Sequence, residues 1–251
     1  MKTPLIPHET CKRLAAFACA LAVFCHASGQ AQTLQVVTKS VEKTFVFGKI
    51  KRINISAERA DVEVSTWDRP EIKITVDLVA KHPDRTVATN DLDYFKHLIE
   101  AAGNTVYARN YVLLPKGAAK PQANLKARYR LVVPASGAVT IQNNFGKVLI
   151  DGLSQETTVK ADFCAVVLQN LVGKIAVDAR FGTLRAEDVD GDLALTTDRS
   201  DCHLKNIKGQ CRIRAEYGNI EIDTDKTLVK MDVKINQTTL KYVSALTSKT
   251  Q

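Results

Sequence analysis

Between Ala138 and Thr227 the chain can be cut every eighteen residues, without gaps, and the apolar positions fall into vertical columns. With Ala138 as column one, column two reads Val139, Thr157, Ile175, Leu193, Cys211, and column four reads Ile141, Val159, Val177, Leu195, Ile213. Column eleven reads Val148, Val166, Leu184, Cys202, Ile220, and column thirteen Ile150, Leu168, Ala186, Leu204, Ile222. A period of this length marks a repeat in which each unit buries its apolar face on the next. Inside one period the apolar residues alternate at columns two and four and again at eleven and thirteen, so each unit carries two short strands. Glycine recurs at column nine (Gly146, Gly182, Gly218; Cys164 and Ser200 differ) and at column eighteen (Gly173, Gly191, Gly209), where turns with positive φ are expected. Column eight holds Phe145, Phe163, Phe181, Arg199 and Tyr217, expected as stacks in the core or at a corner.

The predicted fold is therefore all-β: a single-chain parallel β-helix, or solenoid, of 18-residue coils, taken as right-handed. Two other repeats of this length are excluded by the register. A left-handed hexapeptide helix would need an apolar column ten, which reads Lys147, Ala165, Thr183, Asp201, Asn219. A calcium-binding nonapeptide roll would need paired glycines with an intervening Asp in each half-unit, and no such Asp column exists.

Upstream the pattern is less regular. Residues 32–44 read as a flexible leader. Residues 45–137 form an irregular β region, with alternation at Ile53–Ile55, Val62–Val64 and Ile72–Val76. Asn90 or Asp91 is expected to cap one short helix over residues 90–102, with Leu92, Phe95, Leu98 and Ile99 on one face and Gly103 as its stop. Strands are expected again from Thr105 to Leu114 and from Leu125 to Val133, around a loop from Pro115 to Asn124. The regular region and its terminal coil span residues 138–242, and residues 243–251 form a polar tail.

Residues 1–31 read as an export signal. Lys12 and Arg13 precede an apolar run from Leu14 to Cys25, and small residues follow, with cleavage after Ala31 or Ala27. The run is too short to span a bilayer comfortably, and no second apolar segment follows it. Phe24 before Cys25 argues against a lipoprotein signal. The expected location is extracytoplasmic, in the periplasm or on the cell surface. Removing Lys2, Glu9, Lys12 and Arg13 lowers the formal charge from +8 to about +6. The excess lies among acidic residues without a basic stripe or stacking aromatics, so nucleic acid is not an expected partner. Cys164, Cys202 and Cys211 remain; they read as small buried hydrophobes, with a Cys202–Cys211 bridge left open.

The pieces Asn54-Ile55-Ser56 with Val62-Glu63-Val64-Ser65-Thr66-Trp67-Asp68-Arg69, then Tyr129-Arg130-Leu131-Val132-Val133-Pro134, then Asn144-Phe145-Gly146-Lys147-Val148 and its successors resemble the putative-adhesin family of bacterial exported β-helix proteins, a domain of unknown function. The resemblance covers about residues 45–235. It implies a single-chain β-helix outside the cytoplasm, adhesive or envelope-associated, with no catalytic residues to carry over. Arg199-Ser200 departs from the family's aromatic–glycine pair.

Candidate chemistry is sparse. Asp188, Asp190 and Asp192 surround Gly191, but Leu193 stands where an EF-hand needs glycine and no Glu occupies the twelfth position. Asp198, Ser200, Asp201 and His203 lie close in sequence, and a Ser–His pair there lacks an evident oxyanion site. His82 and His97 are isolated. No catalytic, cofactor-binding or metal residues are assigned, and no cofactor. The expected function is a non-catalytic structural, adhesive or protein-binding role in the bacterial cell envelope, with an envelope protein or surface polymer as partner. The alternatives are a carbohydrate-active enzyme, which a pair of acids within about 10 Å in an open groove would favour, and a periplasmic regulatory or sensory module. Column twelve places Leu149 and Val167 outward, as packing under the irregular segment or as a partner site.

Overall fold

The computed structural model describes residues 33–223 and 228–242. The segment read as an export signal and the tail lie outside these, and no described helix is long and apolar enough to cross a membrane. The described chain is all-β with one short helix: β1 (Gln35–Val46), β2 (Arg52–Trp67), β3 (Glu71–His82), α1 (Arg85–Tyr94), β4 (Phe95–Ala102), β5 (Thr105–Val112), β6 (Asn124–Pro134), β7 (Ala138–Asp151), β8 (Thr157–Arg180), β9 (Thr183–Asp198), β10 (Asp201–Asp223) and β11 (Leu228–Tyr242). They form one mixed sheet in the order β1-β3-β6-β2-β7-β8-β9-β10-β11, with β5 joining β2 and β4 joining β5.

From β7 onward every neighbour is parallel. Ile141 faces Val159, Val177 faces Leu195, and Leu195 faces Ile213, so the offset from β7 to β10 is the eighteen residues of the sequence period. β11 follows at an offset of twenty, Ala215 facing Ile235. All residues of columns two, four, eleven and thirteen are buried. Two further inward columns escaped the sequence reading: column six (Asn143, Ala161, Ala179, Thr197, Ala215) and column sixteen (Leu153, Leu171, Val189, Ile207).

The glycines expected at turns do take positive φ: Gly173 at 102°, Gly191 at 140° and Gly209 at 83° in column eighteen, and Gly146 at 152° and Gly218 at 117° in column nine, with Gly182 the exception. Column eight adds a left-handed position that the sequence reading did not foresee, with Phe145 at φ 65°, Phe163 at 54°, Phe181 at 56°, Arg199 at 47° and Tyr217 at 53°. Column fifteen supplies a second one through Gly152, Asn170, Asp188 and Asn206. Each left-handed residue shifts the alternation by one, so the inward set runs two, four, six, then nine, eleven, thirteen, then sixteen. Asn and Asp tolerate this conformation; a bulky Phe does so only at a cost of about 1–2 kcal/mol.

Column nine has its own rule. Its members alternate between a residue with a β-carbon and glycine: Ala60, Gly146, Cys164, Gly182, Ser200, Gly218, Thr238. A β-carbon on Gly146 would lie 1.9 Å from the Ala60 carbonyl oxygen, and one on Gly182 2.0 Å from that of Cys164. The side chains that do occur bond the surrounding backbone in the same way. Cys164 Sγ reaches the Asp162 and Asn143 carbonyls, Ser200 Oγ those of Asp198 and Ala179, and Thr238 Oγ1 those of Asn236 and Ala215.

The N-terminal half also departs from expectation. The stretch read as a leader is mostly β1, paired antiparallel with β3 from Gln35 to Val46. The helix lies earlier than residues 90–102. Asp84 caps it, its carboxylate accepting the Thr86 N–H at 2.7 Å, and Phe95 turns extended to begin β4. The spacing of Leu92, Phe95 and Ile99 fits a helix, but Phe95 and Ile99 also share one face of a strand. The β4–β5 hairpin supplies the pairing that decides for the strand. Asp91 is no cap: buried, its Oδ2 accepts the N–H groups of Gln122 and Ala123, both at 2.7 Å. The helix packs on β1, β3 and β4.

The three described cysteines are free and buried, so no Cys202–Cys211 bridge forms. Burial pushes the Cys202 thiol up to about 11 and the Cys211 thiol to about 12, and raises Cys164. Because the thiolate is the reactive form, Cys202 holds about a hundredfold less of it at neutral pH than a thiol at 9.0. We expect mass-mapped labelling of Cys164, Cys202 and Cys211 at pH 8 to be negligible in the folded chain and rapid in denaturant. In the folded chain the rate should keep climbing past pH 9. A plateau near pH 9 would show that these thiols are exposed.

Candidate functional site

The feature that stands out on the surface is column eight. Parity alone would point it inward, after two, four and six; the left-handed backbone turns it out. Phe145 is 49% exposed, Phe163 50%, Phe181 41% and Tyr217 37%. Phe145 stacks on Phe163 and Phe163 on Phe181, each with centroids 4.9 Å apart and planes 7° apart. The Arg199 guanidinium continues the pile, 5.4 Å from the Phe181 centroid and 4.7 Å from that of Tyr217. In register, Arg59 on β2 lies before Phe145 and Gln237 on β11 follows Tyr217, both also left-handed. Ring stacking is worth about 0.5–1.5 kcal/mol per pair, the same order as the backbone strain it accompanies. Stacking also turns the ring faces toward one another, so what meets solvent is a ridge of ring edges.

Charged residues flank the ridge. Column seven runs Asn144, Asp162, Arg180, Asp198, Glu216. Arg180 Nε and Nη2 donate to the two oxygens of Asp162, each at 2.7 Å, and this bidentate bond raises the Arg180 pKa. Arg199 also holds Asp198 at 3.2 Å. Column five beyond it is polar and exposed, and no loop interrupts β7 to β10 apart from short turns.

Above the ridge two hollows meet at Arg59 and Leu125. One, of about 320 Å³, lies between Arg59, Lys126 and Phe145. The other, of about 500 Å³, lies between β2, the β4–β5 hairpin and the loop before β6. Its floor includes Asn110, whose Oδ1 accepts from the Tyr129 hydroxyl at 3.0 Å and whose Nδ2 donates to the Glu58 carbonyl at 2.8 Å.

The chemistry weighed from sequence is not assembled. Ser200 is buried, and its hydroxyl accepts the Gly182 N–H and faces backbone carbonyls. His203 is exposed and sits 3.2 Å from Glu221, whose pKa Lys241 chiefly lowers. Asp188, Asp190 and Asp192 are exposed, Asp188 accepting from Asn206 at 3.0 Å. Among the described residues no three His, Cys, Asp or Glu are placed to hold a metal ion. Of acids that share a hollow, Asp198 and Glu216 are register partners and line one of about 400 Å³. That hollow is bounded only by strand residues of β9, β10 and β11, and Asp198 is held by Arg199. His82 and Asp84 bond locally, and His97 is half-buried, its pKa lowered by burial. Leu149 and Val167 are half-buried register partners.

No family model matches the chain, and no curated protein matches it. Among solved structures, a putative cell adhesion protein from Clostridium sporogenes ATCC 15579 overlaps at a TM-score of 0.37 and 7% identity, over 83% of this chain and all of that one. A putative adhesin from Bacteroides fragilis NCTC 9343 overlaps at 0.31 and 12%, over 82% of this chain and 97% of that one. A putative adhesin from Parabacteroides merdae ATCC 43184 overlaps at 0.30 and 14%, over 82% and 96%. At such scores these likenesses carry no argument about this chain.

Proposed function

We propose that the chain is an exported, right-handed β-solenoid of the bacterial envelope that binds a partner protein without catalysis. The observation that carries this reading is the exposed ridge of Phe145, Phe163, Phe181, Arg199 and Tyr217. Aromatic and arginine side chains are the types enriched at the cores of protein interfaces. A row of ring edges on a flat strand surface offers apolar contact without a pocket, and the flanking charges of column seven supply a polar rim. Sugars stack on open ring faces, which the pile closes off, so a protein partner is favoured over a polysaccharide. The constant eighteen-residue register supports the solenoid, and the apolar segment from Leu14 to Cys25 supports export.

The test compares wild type with Phe145→Ser/Phe163→Ser/Phe181→Ser as bait against solubilised envelope protein, and against isolated wall polymer by co-sedimentation. We expect at least a tenfold loss of one specific protein band for the variant, at unchanged far-ultraviolet circular dichroism. A folded variant that retains the band removes the ridge from the reading. Sedimentation with polymer alone would replace the protein by a polysaccharide.

A further inference from the structure

We propose that the 500 Å³ hollow above the ridge is a binding site for a fatty acid, an alkyl chain ending in one carboxylate. This rests on residues of the N-terminal half and not on the ridge, so either reading can fail alone.

The walls are apolar. Phe95, Val112, Leu114, Pro121 and Leu125 line the hollow, contributed by the β4–β5 hairpin, the following loop and β6. The loop that closes one side is fastened at its far end by the Asp91 carboxylate and at its near end by the Leu113 N–H, which donates to the Tyr94 carbonyl at 2.8 Å. The volume falls in the range that holds small organic ligands, and an apolar lining with few polar groups is their usual setting. The floor residue Asn110 has both its oxygen and its nitrogen engaged by Tyr129 and Glu58, so it asks for no polar ligand group.

The lining carries three charges: Arg59, Lys120 and Glu58. Neither cation has a side-chain hydrogen bond or ion pair among the described residues. Arg199, in the same column as Arg59, is engaged: it holds Asp198 and lies between two rings. Arg59 is fixed at φ 50° by its register beside Phe145, which sets it between the two hollows. Two unpaired cations against one carboxylate favour an anionic head, and the apolar walls favour an alkyl body. A guanidinium binds a carboxylate side-on through two N–H groups. The single chain follows from the size of the hollow.

The probe is dodecanoate below its micelle concentration, titrated calorimetrically against the full chain, with dodecanol, dodecyl phosphate and dodecyltrimethylammonium as comparison ligands. We expect saturable one-to-one binding of dodecanoate, at least tenfold weaker binding of dodecanol, and none of the cation. Arg59→Gln with Lys120→Gln should weaken dodecanoate at least tenfold and leave dodecanol unchanged. Glutamine suits position 59 because Gln237 holds the same left-handed place in the column. Leu114→Asp should abolish binding of both, its fold verified by thermal melting. Equal affinity for dodecanoate and the cation, or a double variant that binds dodecanoate as wild type does, overturns the proposal. Preference for dodecyl phosphate with no dodecanoate binding overturns it as well.

Discussion

Gly182→Ala should destabilise the chain by about 3 kcal/mol, a loss at the upper end of what overpacking produces. The new β-carbon would stand 2.0 Å from the Cys164 carbonyl oxygen and about 3 Å from its carbon and nitrogen. These are backbone atoms inside a parallel ladder, so no side chain can swing aside. The strands must separate locally, or the residue must leave its place in register. Gly103→Ala is the comparison, since nothing lies within 4 Å of a β-carbon there and only its φ of +59° opposes the change, at about 1 kcal/mol. Urea unfolding measures both, with the midpoint moving and the slope constant. If the two variants unfold at the same midpoint, the crowding at Gly182 is not what the geometry implies.

Asp91→Ala should lose a similar amount, about 3 kcal/mol, through a different cause. One carboxylate oxygen accepts two backbone N–H groups at 2.7 Å, and hydrogen bonds to a charged acceptor are worth about 1.5–3 kcal/mol each. Part of that returns when the freed loop hydrates. Asp91→Asn keeps an oxygen at the site and should lose about half as much. The loss has a local signature: the loop contains Lys116, and its release from α1 should let the Lys116–Gly117 bond enter the trypsin site, while Lys120 is shielded from cleavage by Pro121. Nicking after Lys116 should run at least tenfold faster in the alanine variant than in wild type. Unchanged nicking would mean that the apolar contacts of the loop, and not Asp91, hold it.

The repeat was legible because period and parity are both written in side-chain type. Four columns, all Val, Ile, Leu or Cys except for Thr157 and Ala186, lay where burial puts them. Column sixteen, with Leu, Leu, Val and Ile, is as apolar as these but stands alone: no apolar column lies two positions away, because the left-handed column fifteen breaks the alternation that leads to it. The outward direction of the Phe column was not legible. It depends on a backbone dihedral, and nothing in the side chain marks a phenylalanine as left-handed. The strand β1 was hidden for another reason: its half-buried residues Val37, Val41 and Phe45 recur every four residues, which obscures a period of two. The helix was displaced by that same ambiguity over a few apolar residues, settled by the pairing of β4 with the adjacent β5. Of the candidate site, the Phe column could be read as a column. The hollow could not, because it joins Glu58 and Arg59 to residues more than thirty positions away.

The alternation in column nine bears on how such a molecule can change length. Adjacent rungs are not equivalent there: one brings a side chain, the next must bring none. Duplicating or losing a single eighteen-residue segment would set two like rungs together, either two β-carbons in collision or two glycines with an unfilled gap. Growth or shortening by thirty-six residues avoids both, so at this corner the heritable module is a pair of eighteen-residue repeats, and gene products of this design should differ in size by even steps.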